Sequence, residues 1–343
     1  MKALVLTGIN KLEYKEVPDP KINSDEVLVK VKAVGICGSD VHGMDGSSGR
    51  RQPPVIMGHE ASGIIAETGS EVQGWHTGDQ VTFDSTIYKL NDWYTLKGYY
   101  NLSDNRKVLG VSCDDYKLDG ALAEYVKVPA HILHRIPDGV SFPEAAMVEP
   151  LAVAAHAVEL TPIELNDTVV VIGAGMIGLG IIQIVKTRGA GQIIAVDLAQ
   201  DKLDIAKRAG ATYTLTPEEQ DIHQVIQDRT RNRGADIAFE AVGISTTVKQ
   251  SIDVVRRGGR VTLVGNVTPV TEFPLQSVVT RQIRVQGSCA ICGEYPAVLD
   301  MLARKQIDVN PLLSVKVPLS EGAEWFHRLY NREAGLIKVI LEP

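Results

Sequence analysis

The stretch VVVIGAGMIGLG, residues 169–180, limits the fold more than any other part of the chain. Branched apolar residues run straight into Gly173, Gly175 and Gly178 in G-x-G-x-x-G spacing, and an apolar helical pattern follows. Each glycine has its own reason: the first permits a tight turn, the second lets backbone approach a pyrophosphate, and the third lets helix pack close on strand. Unpaired N–H groups of the first helical turn, Met176 and Ile177 among them, would then face the phosphates. Glycine-rich turns also occur in buried sheets with no ligand, so the context decides. The next strand, QIIAVD, ends on Asp197, nineteen residues after Gly178 and near the ~20 expected of a ribose-binding acid. A carboxylate there accepts from ribose hydroxyls and repels a 2′-phosphate, and Leu198 beside it offers no cation, so NAD is expected rather than NADP. The uncharged run 168–185 is barely long enough for a bilayer, and its glycines and Gln183 suit strand, turn and helix better.

Strands read at TVVVIG, QIIAVD, ATYTL, ADIAFEAV and RVTLVG with helical segments between them, which predicts an α/β, doubly wound parallel sheet. The first ~130 residues instead alternate β-rich runs such as EVLVKVKAVG with Gly, Pro, Asp and Ser punctuation, as an all-β unit does. Between them, Ser141 and Glu144 have capping-box spacing, Pro143 suits a first helical turn, and an alanine-rich helix is expected after Pro150. The domains are therefore expected at 1–150, 151–287 and a closing segment 288–343. A net charge of −7 gives no reason to expect nucleic acid or an anionic membrane as partner. Four cysteines in 343 residues are no secreted disulfide framework, and the N-terminus lacks a signal-peptide pattern, so a cytoplasmic protein is expected.

A second stretch carries chemistry. AVGICGSDVHG, residues 33–43, gathers Cys37, Ser39, Asp40 and His42 between glycines. GHE places His59 and Glu60 after PPVIM, and Glu149 precedes Pro150. A thiolate, an imidazole and one or two carboxylates suit Zn²⁺ with one position open. No C-x-x-C or H-E-x-x-H links these residues, so the spacing alone leaves open both a metal site and a buried thiol beside a loop histidine.

GICGSDVHG, GHEASGII, VEPLAVAAHA, GAGMIG and the closing KVILEP, in that order and essentially end to end, resemble the zinc-dependent medium-chain alcohol dehydrogenases, and within them the polyol (sorbitol dehydrogenase-like) branch. The resemblance implies a GroES-like β-rich catalytic domain holding zinc, a Rossmann domain, and a C-terminal return to the first domain. It assigns Cys37, His59 and a glutamate to the catalytic zinc, with Glu60 and Glu149 both candidates: Glu60 as ligand, Glu149 as holder of the bound water. Asp40 would orient His59, and Ser39 and His42 would relay the substrate proton. A homodimer or homotetramer is implied, paired near VTLVGN and RVQGS.

Two departures matter. Where many relatives hold a structural zinc with four cysteines, this chain has Lys89, Asp92, Thr95 and Ser103, so that second zinc is expected to be absent. Tyr88, Trp93, Tyr94, Tyr99 and Tyr100 crowd the same stretch and are expected to pack in its place. Animal sorbitol dehydrogenases carry an Arg-Tyr pair just ahead of a cysteine where this chain has Ala290, Ile291 and then Cys292, which puts sorbitol itself in doubt. Cys289 and Cys292 spell C-x-x-C, read as two unconnected thiols for want of a thioredoxin-like βαβ start. The function expected is hydride transfer between NAD and a secondary alcohol or ketone of a polyol, sugar or sugar acid. The rivals are a vicinal-diol or threonine dehydrogenase, and a non-catalytic dinucleotide-binding protein.

Overall fold

The structure, a computed structural model, describes residues 1–343. They form two compact units: 1–149 with 291–305 and 313–343, and 150–290 with 306–312. No helix is long and apolar enough to cross a membrane.

The second unit is a six-stranded sheet, parallel throughout. In space its strands run Tyr213–Leu215, Gln192–Val196, Thr168–Ile172, Ala235–Glu240, Val255–Leu263, Arg284–Gly287. Numbered as the chain visits them, that order is 3-2-1-4-5-6, the doubly wound arrangement. The first and fourth strands are buried end to end, as strands covered on both faces must be. Val170, Ile194, Ala238, Ile226 and Ile252 form the centre of one core. Gly180 allows close helix packing, because a Cβ there would lie 2.9 Å from Ala154 Cβ.

The first unit is β-rich. Its central strand, Glu26–Gly35, pairs antiparallel with Glu60–Thr68 and Tyr125–Pro129, and at its far end with Lys338–Glu342. Val27, Val29, Ile65, Phe83 and Leu341 lie in its core. Ser141 and Glu144 close the predicted capping box, with Pro143 in the first turn of Phe142–Ala146. The helix expected after Pro150 begins earlier, at Val148. Pro150 lies in its first turn, where a missing N–H leaves no hydrogen bond unmade.

The stretch that lacks the second set of cysteines is ordered by hydrogen bonds. Asp92 caps the short helix Trp93–Leu96, accepting from Thr95 N at 2.8 Å. Its other oxygen accepts from Ser103 Oγ, which in turn accepts from Lys89 N at 3.3 Å. Lys89, Asp92, Thr95 and Ser103 therefore still converge, with a carboxylate at the centre. The expected aromatic packing is divided: Tyr88 stacks on Tyr100 with centroids 4.3 Å apart, and Trp93 meets Tyr94 edge-on at 5.1 Å, but Trp93 and Tyr99 remain largely exposed. Tyr100 donates to Asp84 and accepts from Gly293 N, both at 2.8 Å. Replacing Asp92 by Ala removes a cap and a bridge at once. We expect a loss of about 1–2 kcal/mol in urea unfolding and faster proteolytic nicking between 88 and 105, with little change elsewhere.

Candidate active site

Three strand ends meet at one place in the first unit. The central strand runs out through Gly35 and Ile36 to Cys37, the strand Glu60–Thr68 opens with Glu60, and the strand Lys338–Glu342 opens with Lys338. Register fixes the meeting, since Gly35 pairs with Glu60 on one side and Ile340 on the other. Gly35 is needed for close approach: a Cβ there would sit 2.2 Å from Glu60 Oε2.

Donor atoms of Cys37, His59 and Glu60 all lie within 4.8 Å of one another. His59 and Glu60 are buried, and Cys37 is half-buried at the start of the short helix Gly38–Gly43. Burial pushes the Cys37 thiol well above its usual range, and the Glu60 charge pushes it further. A thiolate and carboxylates crowded together disfavour one another's ionised forms, and a divalent cation among them, with a ring nitrogen as third donor, reverses that; the set fits zinc.

Lys338 is 2% exposed. Its ammonium donates to Glu60 Oε1 at 2.9 Å, Glu60 Oε2 at 2.6 Å and the Ile36 carbonyl at 3.0 Å. Burial would strip its proton, but Glu60 and then Cys37 outweigh burial and raise its pKa. Each Glu60 oxygen keeps a second lone pair for another partner. Glu149, in the first turn of Val148–Glu159, accepts from Ser85 Oγ at 2.7 Å. Burial lifts its carboxyl to about 7, against the pull of His59, with Glu60 lifting it further.

Asp40 is fully buried and shares its oxygens between Arg51 and His59. Arg51 Nε and Nη2 both reach Oδ1 at 2.7 Å, and His59 Nδ1 faces Oδ2 at 3.5 Å. Neither Oδ2 nor Nδ1 has a hydrogen-bond partner, so the two face each other alone and the other ring nitrogen is left for a metal. Ser39 Oγ donates to Cys37 Sγ at 3.2 Å and accepts from Arg51 Nη2 at 3.4 Å. His42 lies one turn further along the same helix with an exposed side chain.

Sequence reasoning found Cys37, Ser39, Asp40, His42, His59, Glu60 and Glu149, and missed Arg51, Lys338 and Ser85. Arg51 stood in view only as part of a basic pair in GRRQPP, and Lys338 only as the first letter of KVILEP.

In the second unit the glycine turn has the expected form. Gly173 has φ +97°, which favours glycine, and lies where the first and fourth strands diverge; a Cβ would press on Val242 Cγ2 at 2.7 Å. A Cβ on Gly178 would overlap the Gly173 carbonyl, and one on Gly175 would enter open space. The helix Met176–Thr187 opens there with Gly175 as N-cap, Met176 and Ile177 filling its first turn. Asp197 Oδ2 accepts from Ala174 N at 2.7 Å, which holds the carboxylate against the turn. A polar cradle with open space at Gly175 and an acid beside it suits a dinucleotide.

A parallel doubly wound unit with this turn, joined to a β-rich unit with a sulfur–nitrogen–oxygen cluster, defines an alcohol-dehydrogenase class of protein. Residues 23–138 match the alcohol dehydrogenase GroES-like domain and residues 177–304 the zinc-binding dehydrogenase domain. The chain is 33% identical to the sorbitol dehydrogenase of Bacillus subtilis (strain 168), covering 100% of this chain and 97% of that protein. It is 32% identical to the D-xylulose reductase of Saccharomyces cerevisiae, covering 99% and 97%. Alcohol dehydrogenase TADH from Thermus sp. ATN1 superposes with a TM-score of 0.94 at 30% identity, over 100% of this chain and 99% of that one. The chain belongs to the zinc-dependent medium-chain alcohol dehydrogenases, in their polyol dehydrogenase-like branch.

Lys338→Met leaves Glu60 buried without a counter-charge, a change that costs about 3–5 kcal/mol in comparable pairs. We expect that loss in urea unfolding of the metal-stripped protein and a smaller one after zinc is added. Equal losses in both would mean that zinc does not share the Glu60 site.

Proposed function

We propose that this chain is an NAD-dependent, zinc-dependent dehydrogenase that moves hydride between NAD and a secondary alcohol or ketone of a polyol, sugar or sugar acid. The observation that carries the reading is the convergence of Cys37, His59 and Glu60 in a family member whose glycine turn ends against Asp197. Sorbitol dehydrogenase and D-xylulose reductase, the relatives matched over nearly their whole lengths, support the polyol class.

In this reading Cys37, His59 and Glu60 hold the zinc, with Glu149, poised by Ser85, as the nearby oxygen that holds a water or the incoming hydroxyl. When bound, zinc would supply Lewis acidity that lowers a hydroxyl pKa towards ~7, and NAD would supply the hydride acceptor. Ser39 Oγ receives the substrate proton, and exposed His42 passes it to solvent. Arg51 holds one oxygen of Asp40 and leaves the other facing His59 Nδ1, which fixes the ring. Asp197 accepts from the adenosine ribose hydroxyls, and the first-turn N–H groups at Met176 and Ile177 hold the pyrophosphate between Gly173 and Gly178.

We also read the protein as a cytoplasmic homodimer or homotetramer. None of the four cysteines is in a disulfide, which suits a reducing compartment. Strand Arg284–Gly287 is a sheet edge, with exposed Val270, Leu275 and Val279 in the preceding segment, which suits pairing with a second copy.

The test is NADH absorbance across a panel of polyols, sugar acids, butane-2,3-diol and threonine, with metal analysis of the same protein. We expect roughly one zinc per chain, as one open catalytic site requires, and turnover of a polyol-type substrate. Cys37→Ala should abolish turnover, and Asp40→Asn should reduce activity or zinc affinity by roughly 10–100-fold. A protein without zinc and without turnover, still binding NADH, would instead be a dinucleotide binder.

A further inference from the structure

The second unit has a polar cavity of ≈ 520 Å³ lined by Arg233, Arg256, Arg257, Arg281, His223 and Asp253, among others. It lies at the N-terminal rim of the parallel sheet: Arg233 just precedes the strand Ala235–Glu240, and Arg256 and Arg257 open the strand Val255–Leu263. The glycine turn is at the other rim, where Gly173 lies against Ala241 and Val242 just past the end of Ala235–Glu240. A strand of that length separates the two by about 17 Å. A dinucleotide seated on the turn leaves this cavity to another ligand.

Four arginines in a chain of net charge −7 are a local concentration of positive charge. The negative groups around them are already occupied. Asp236, 3% exposed, accepts from Arg233 Nη2 at 2.9 Å and Arg256 Nε at 2.6 Å. Lys249 binds Asp253 at 3.1 Å, and Arg281 takes the carbonyls of Ile252 (3.0 Å) and Val255 at the end of the helix Ser245–Val254. Arg281 is thus spent on structure, but the others are not. Arg233 is held through one nitrogen, Arg256 through Nε on Asp236 and Nη1 on the Arg257 carbonyl at 3.0 Å, each with further N–H groups to spare, and the Arg257 side chain is exposed with no internal partner. Guanidinium groups fixed by a buried carboxylate and turned to a cavity lose little entropy on binding, and their forked donors match phosphate oxygens. The volume is that of small-molecule sites, which run from ~300 to 1,000 Å³, and the acidic chain disfavours nucleic acid.

We propose that this cavity binds a small molecule carrying two or more phosphate groups, held by Arg233, Arg256 and Arg257 at the rim of the sheet opposite the cofactor turn. Calorimetry on the full chain saturated with NADH tests it, with fructose 1,6-bisphosphate as the probe and fructose as the uncharged control. We expect the bisphosphate to bind and fructose not to. Affinity should fall roughly tenfold in Arg257→Gln and in Arg233→Gln, the loss of one charge-assisted contact, and should weaken with salt. Ser39→Ala should leave it unchanged, which separates this cavity from the site around Cys37. Unchanged NADH affinity in the arginine variants shows that they remain folded. No binding, binding indifferent to both arginine substitutions, or binding lost in Ser39→Ala would each overturn the proposal. None of these outcomes depends on which alcohol is oxidised, so failure here leaves the dehydrogenase reading standing.

Discussion

The chemistry of the first unit depends on one buried ion pair. Lys338 and Glu60 lie 278 residues apart in the chain and 2.6 Å apart in space. Bringing two charges out of water is costly unless their remaining donors and acceptors are satisfied. Here the ammonium has three acceptors for its three protons, two on Glu60 and one on Ile36. The pair also ties the last strand of the chain to the central strand at the residues leading to Cys37. Only with that strand in place does the lysine exist at the site, so the cluster is complete only when the C-terminal segment has returned.

The same pair bears on how a cation is held. A divalent ion among Cys37, His59 and Glu60 meets a thiolate, a neutral ring and a carboxylate whose charge Lys338 already offsets. Counting the thiolate and Glu60 against the ion and Lys338 leaves one positive charge, which Glu149 cancels once ionised. In the proposed reading the second glutamate would therefore balance the ion, and burial, which lifts its carboxyl to about 7, would make that balance depend on its ionisation. Asp40 and Arg51 form a second neutral pair beneath His59, so the ring is oriented without adding net charge to the centre.

What could be read from the sequence followed from local spacing. The glycine turn, the acid at Asp197 and the Ser141–Glu144 cap each involve residues joined by a single turn or a single βα step, and each has the geometry that its spacing implies. Arg51, Ser85 and Lys338 could not be read that way. They reach their partners across 11, 64 and 278 residues, through strand register and loop closure that no period of 2 or 3.6 encodes. Lys338 was also concealed by its type, since a lysine opening an edge of polar turn and apolar strand ordinarily faces water. The start of the helix at Val148 escaped because proline reads as punctuation, although it fits a first turn as well as a boundary.

The stretch around Asp92 shows how side chains without a thiol among them can hold a loop together. Lys89, Asp92, Thr95 and Ser103 are neighbours because Asp92 accepts from Thr95 and Ser103 while Ser103 accepts from Lys89. A carboxylate gathering N–H and O–H donors inverts the electrostatics of a cation gathering thiolates, with the anion now at the centre. Each such hydrogen bond contributes only about 1 kcal/mol net, far below the ~10–16 kcal/mol of a structural zinc. Packing adds to them: Tyr100, stacked on Tyr88, fixes the stretch to Asp84 and Gly293 through its hydroxyl. Tyr100, with the Cys292 thiol donating to the Gly98 carbonyl at 3.0 Å and Tyr88 edge-on to His131, thus joins the loop to the body of the unit, while Leu90, Trp93, Leu96 and Tyr99 stay on the surface.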